Sequence, residues 1–380
     1  MIPFVAFIAL GMPDGLLGIA WPGIRFKFNL PIESLGFILM IATAGYMFSS
    51  FLSGFLIRYL GFGMLLSLSC LLSACSLYIF SQTKIWLIFI IFAGINGIGA
   101  GAIDASINTY VAKYYNKSIM QWLHACFGIG ITLGPIIMTM AISINSRWES
   151  GYHIVSILLG TLCIVFFVTK KIWNEKKNHV IEDHFKNKET SIIETVKNQN
   201  VLLSMLMFFL YNGVELGLGY WTYSLLTESR QLSQEISGFI ASSYWASFTI
   251  GRILAGFCAR LINSRKLICI CVSLAFLGII LLMSDLGEIV TTFGISLAGL
   301  AVAPIFPSMV SNTASRVDSI YHTNTIGLQM TASAFGMAVI PSIAGIIAKF
   351  YGLEIIPLFL IIVLFLMLLI FLYLNPKFKK

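Results

Sequence analysis

A chain of 380 residues that is 58% hydrophobic, 13% aromatic and 11% charged carries more apolar side chain than a soluble domain needs. Apolar stretches of about 20 residues, enough for a helix to cross a bilayer, recur along nearly the whole length, and they are continuous rather than alternating, which argues against a β-barrel. The net charge of +8 does not argue for nucleic acid, because the basic residues gather at the ends of these stretches.

In chain order the sequence predicts twelve spans, at 2–22, 34–57, 64–81, 85–110, 118–141, 152–170, 199–226, 236–258, 266–284, 287–311, 323–347 and 355–374. The first lacks a basic leader and is too long for the core of a signal peptide, so it reads as a true span. The fold class is all-α and membrane-embedded. The longest polar stretch, 170–200, holds seven lysines and five acids and divides the spans six and six. It reads as a cytoplasmic connector, giving an N-terminal half at 1–170, a connector at 171–198 and a C-terminal half at 199–380. With the N-terminus inside, 17 basic residues face the cytoplasm and 6 face out. Both termini are therefore expected on the cytoplasmic side of the cell membrane. The seven cysteines lie in apolar segments and include no C-x-x-C pair, so neither a disulfide framework nor a zinc site is indicated.

The halves resemble each other. SGFLIRYL (53–60) aligns with AGFCARLI (255–262), and GIGAGA (97–102) with GLAVAP (299–304), at an offset near 202. Gly130 and Pro135 repeat as Gly336 and Pro341. A parallel duplication of six helices with a cytoplasmic connector resembles a major facilitator transporter, whose solute path lies between the halves.

Against this apolar background a few polar residues stand out. Asp14 lies near mid-depth in the first span, flanked by Pro13 and Gly15, where a local helix break would free carbonyls. It is either a functional acid or a polar group satisfied by neighbouring helices. Asp104 and His124 lie ten residues either side of a tight turn near residue 114, so neighbouring antiparallel helices would hold them at one depth. There they either share a proton or lock the hairpin. Asn108 follows Asp104 by one helical turn and reads as structural or gating. Glycines 97, 99 and 101 suit close helix packing. In the seventh span Tyr211, Asn212 and Glu215 share a face, followed by Tyr220 and Trp221. Asn and Trp suit a hydroxylated ligand, and Tyr and Trp near a helix end also form interfacial belts. Arg252, deep in the eighth span, needs a partner such as Glu215 or backbone carbonyls, and reads as structural or gating.

At Gly99, Gly101, Asp104 and Asn108 the chain resembles the fucose-permease-like branch of the major facilitator superfamily, with Asp in place of the usual Glu. Asp14 matches that branch's acid in the first helix. The resemblance implies substrate recognition at Asp14 and proton coupling at Asp104. The chain departs from the branch at His124 and Phe127, where the pattern has Gln and Asn. It also departs at GFLIRYLGFG (54–63), where the superfamily's loop signature has an acid and a basic pair.

The leading expectation is a proton-coupled symporter of a small hydroxylated solute such as a sugar, working by alternating access. Substrate-side residues are Asp14, Gln121, Trp122, Asn212, Glu215 and Trp221, and the coupling pair is Asp104 with His124. No cofactor or metal is expected, and the partners are solute, protons and lipid, with the chain a monomer. An efflux antiporter for drugs or metabolites would also suit the thirty Phe and fifteen Met, and a membrane sensor is the non-transport alternative. GAGAID is not an aspartyl membrane-protease motif, and neither H-E-x-x-H nor a phosphate-binding loop occurs.

Overall fold

The computed structural model describes residues 2–115, 117–174 and 191–374, and every regular element among them is helical. Eleven long helices follow in order. They are α1 (Ile2–Phe28), α2 (Leu35–Gln82), α3 (Trp86–Tyr114), α4 (Lys117–Asn145) and α5 (Trp148–Val168), then α6 (Gln199–Ser224), α7 (Gln234–Leu261), α8 (Ser264–Met283), α9 (Glu288–Val302), α10 (His322–Tyr351) and α11 (Ile355–Leu374). Ten segments among the described residues are long and apolar enough to cross a membrane. One of them contains α2, whose 48 residues would stretch about 72 Å if straight, more than twice a bilayer core. It reverses at Gly61, where φ 74° and ψ 164° suit a residue without Cβ. With the two arms of α2 counted separately and the 28-residue α7 added, the described residues hold twelve long helical segments. The loop expected at 58–63 shrinks to this single residue.

The expected break in α1 does not occur. The helix runs unbroken through Pro13 and Pro22, because the hydrogen bond a proline forfeits is tolerated where neighbouring helices pack closely. The interruption falls instead at Ala303–Pro304, between α9 and a short helix, Ile305–Ser311.

The described residues form two compact units. One contains α1–α5 together with Leu226–Ser242, and the other contains residues 191–225 and 243–374. Residues 175–190, most of the expected connector, and the basic C-terminal residues 377, 379 and 380 lie outside the described residues. The strap Leu226–Ser242 begins within a π-helical turn, Leu225–Ser229. It is tied to the first unit by Arg25 Nη1 donating to Glu228 Oε2 at 2.7 Å and by Gly238 lying against Thr139. On the same unit Lys27 Nζ meets Glu149 Oε1 at 3.1 Å.

Packing follows chain order for α2 with α3 and α8 with α9, and departs from it where small residues let other helices meet. In the first unit α1 pairs with α4, while α2 pairs with α3 and α5. In the second, α6 pairs with α10 and α11. Gly130 faces the Ile8 carbonyl and Gly336 the Phe209 carbonyl. Gly101 faces the Tyr46 carbonyl and Ser49, and Gly299 faces the Tyr244 carbonyl and Ser247. Ser49 Oγ donates to Tyr46 O at 3.1 Å, and Ser247 Oγ to Tyr244 O at 2.9 Å. Each unit thus builds the same contacts with its own residues. The environments pair Gly101 with Gly299, whereas the sequence alignment set Gly97 opposite Gly299. The difference is four residues, about one helical turn.

Candidate functional site

In the first unit the acids expected to act are held by helices α1, α2 and α3. Asp104 Oδ1 accepts from Asn108 Nδ2 at 2.8 Å, and Oδ2 accepts from the Tyr46 hydroxyl of α2. Asn108 Nδ2 also reaches the Asp104 carbonyl at 3.0 Å, so the one-turn spacing in the sequence closes a local clamp. Asp14 of α1 is exposed although it lies within a span, and it is close enough to Asp104 for the two carboxylates to feel each other's charge. Tyr46 feels both acids. Two acids, a phenol and an amide therefore gather in the middle of apolar helices.

His124 is exposed on α4 and sets its ring edge-on against Phe7 of α1, with centroids 5.8 Å apart and planes at 78°. Because α4 pairs with α1 and α3 with α2, the hairpin contact expected to align His124 with Asp104 is sparse. The hydrogen bonds described for Asp104 come from Tyr46 and Asn108. Trp122 is 64% exposed. The side chain of Gln121 lies outside the described residues.

The second unit holds the other acid. Glu215 of α6 is 5% exposed, and Arg252 Nη2 of α7 lies 3.7 Å from its Oε1, so the deep arginine takes one of the partners proposed for it. The guanidinium sits over the Phe248 ring, 4.6 Å from its centroid. Tyr244 donates to the Glu215 carbonyl at 2.8 Å and Tyr211 to the Val302 carbonyl at 2.9 Å. Asn212 and Trp221 are buried and committed elsewhere. Asn212 Nδ2 donates to Ser333 Oγ at 2.9 Å and to the Phe208 carbonyl at 3.1 Å. Trp221 Nε1 donates to the Pro341 carbonyl at 3.0 Å. The Trp221 indole N–H and the amide hydrogens of Asn212 are thus spent within the unit, and these bonds leave the Asn212 Oδ1 acceptor uncommitted.

The repeat relates the acids. Ile8 and Phe209 fill the same role opposite Gly130 and Gly336, and that register sets Asp14 against Glu215, each on the first helix of its half. Tyr46 and Tyr244 correspond in the same way. Sequence reasoning missed both tyrosines. Their one available signal was the run of serines around each, GYMFSS at 45–50 and SSYWAS at 242–247.

Three comparisons bear on this arrangement. The family model described as Major Facilitator Superfamily matches residues 3–320 and 222–380. The chain is 24% identical over 351 residues to the glucose/mannose transporter GlcP of Bacillus subtilis (strain 168), covering 90% of this chain and 86% of that protein. It is 22% identical over 386 residues to the sodium-dependent glucose transporter 1 of Homo sapiens, covering 91% and 73%. A crystal structure of a point mutant of the nucleoside transporter NupG superposes with a TM-score of 0.79 at 14% identity, covering 97% of this chain and 98% of that one.

Proposed function

Because the chain belongs to the Major Facilitator Superfamily, we propose that it carries a small sugar-like solute across a membrane by alternating access, coupled to protons as a symporter. The family and its transporter relatives make the chain a multi-pass membrane transporter rather than an enzyme. The observation that carries the finer reading is the Asp14–Tyr46–Asp104–Asn108 cluster. Ionisable groups within a span are costly and are kept where they serve a path or a relay. Two acids in Coulombic reach cannot both ionise freely, which poises one of them to exchange a proton. Asp104 is the carrier, with His124 as its relay, and Asp14 faces the solute. Trp122, Gln121, Glu215 and the Oδ1 of Asn212 add solute contacts, while Trp221 braces the wall. Names of relatives that specify glucose and mannose support a hexose-like solute. In this reading the halves 1–170 and 199–380 rock about a cytoplasmic connector at 171–198, in a monomer with both termini in the cytoplasm of a cell membrane.

The test is uptake of labelled D-glucose into proteoliposomes under an imposed pH gradient, with a sodium gradient as the second arm. Wild type should concentrate the sugar under the pH gradient. Asp104→Asn should lose accumulation yet keep exchange of labelled sugar across a membrane without a gradient. Accumulation driven by sodium alone would assign the cluster to that ion, as the name of the human relative suggests for that protein. Absence of any sugar movement would overturn the reading.

A further inference from the structure

The ion pair of the second unit is incompletely bonded. Glu215 is buried, yet its Oε2 accepts no hydrogen bond, and the buried Nε of Arg252 donates none. The pair itself is held only at 3.7 Å through Oε1 and Nη2, longer than a charge-assisted hydrogen bond. Nearby hydroxyls do not fill the gap. Tyr211 comes within hydrogen-bonding reach of the Glu215 carboxylate, but its single hydroxyl hydrogen goes to Val302 O, and Tyr244 donates to the Glu215 main chain. A buried acceptor and a buried donor left unmade are costly, the more so when charged. A purely structural ion pair would be expected to spend this capacity internally. The Arg252 side chain is 23% exposed although Nε and Glu215 Oε2 are themselves buried, so a ligand enters from the arginine side as that side chain turns, while Phe248 covers the guanidinium face.

We infer that Glu215 and Arg252 form a subsite for a vicinal diol, one hydroxyl donating to Glu215 Oε2 and its neighbour accepting from Arg252 Nε. The inference rests on the transport of a sugar-like solute and names the part of it that is recognised. Two adjacent hydroxyls match one acceptor and one donor fixed side by side on a bridged pair. The ligand stays neutral, and the pair stays charge-balanced when the site empties, which a lone buried acid or arginine would not. The repeat reinforces the assignment. Glu215 occupies the position of Asp14, so each half presents an acid from its first helix, and Arg252 neutralises one of the two. A diol of this kind belongs equally to a hexose ring and to the ribose of a nucleoside.

Binding to the purified full chain separates these sources. One arm uses D-glucose and its monodeoxy analogues, the other uridine and its 2′- and 3′-deoxy analogues. Wild type should lose about tenfold to a hundredfold in affinity when either member of one adjacent hydroxyl pair is removed, as expected for a hydrogen bond to a charged group. The arm in which this occurs identifies the source. In the double variant Glu215→Leu with Arg252→Leu, the parent sugar should weaken by a similar factor and the same deoxy analogues should bind within twofold of it. Replacing both charges together avoids a lone buried ion, and an unchanged thermal unfolding midpoint reports that the fold is kept. Should the variant fail to fold, the wild-type analogue series decides alone. Equal binding of every deoxy analogue to wild type, or full discrimination retained in a folded double variant, would overturn the subsite while leaving sugar transport standing. Failure of wild type to bind either parent would overturn both.

Discussion

Asp104 draws its character from two donors, and removing one should be felt in function before stability. Tyr46→Phe keeps the ring and deletes the hydroxyl that meets Asp104 Oδ2. A hydrogen bond to a charged group is worth about 1.5–3 kcal/mol, so uphill uptake should fall at least tenfold while downhill exchange persists. Unchanged accumulation would reduce Tyr46 to a packing residue. Trp221→Phe is the opposite case. It removes the indole donor to the Pro341 carbonyl, a hydrogen bond worth about 0.5–1.5 kcal/mol, and shrinks a buried ring, which should lower the unfolding midpoint by a few degrees, with solute affinity within twofold of wild type. Affinity falling in step with stability would instead put the indole on the solute wall. The acids were legible in the sequence because a carboxylate in an apolar run has few innocent explanations. Tyr46 was not, since its partner lies 58 positions away and tyrosine is common at membrane surfaces. Asn212 and Trp221 were visible as polar groups, but the sequence could not show that Pro341 takes the indole N–H and that Ser333 and Phe208 take only the amide hydrogens of Asn212.

Helix pairing in each unit depends on glycines that let one backbone touch another. A methyl group at Gly101 or Gly299 would strike the Tyr46 or Tyr244 carbonyl, whereas one at Gly54 meets nothing within 4 Å. Gly101→Ala and Gly299→Ala should therefore each destabilise by about 1–3 kcal/mol. Gly54→Ala should stabilise by about 0.5–1 kcal/mol, because alanine loses less entropy in a helix. Thermal unfolding of the three variants checks this, and equal shifts would refute the close approach. Span positions could be read from hydropathy because the bilayer fixes their length. Partners could not. The sequence suggested that consecutive helices α3 and α4 lie side by side, and glycine placement instead drew α4 to α1 and α3 to α2. The reversal at Gly61 was hidden for a related reason, since apolar residues continue on both sides of a turn that needs only one residue.

Across the whole molecule, the duplication was readable as matching motifs, but the exchange of the strap Leu226–Ser242 was not. Hydropathy treats that strap as the junction of two spans, while its contacts place it with the first unit. A chain cut within 175–190 should therefore behave asymmetrically. The N-terminal fragment alone lacks Glu228 for Arg25 and Gly238 against Thr139. It should be protease-sensitive and polydisperse, and co-expression with the C-terminal fragment should restore both copurification and sugar uptake. A monodisperse N-terminal fragment with wild-type thermal stability would contradict this.

The strap also sets a clock on biogenesis. A ribosome adds about 5–20 residues per second, so residue 242 is made about 3–14 s after residue 174, long after the first five helices are available to the bilayer. For that interval Arg25 sits at the end of α1 without the carboxylate that later meets it at 2.7 Å. The first half of this protein is born before its last piece, and its early life in the membrane is that of a receptor waiting for its own chain.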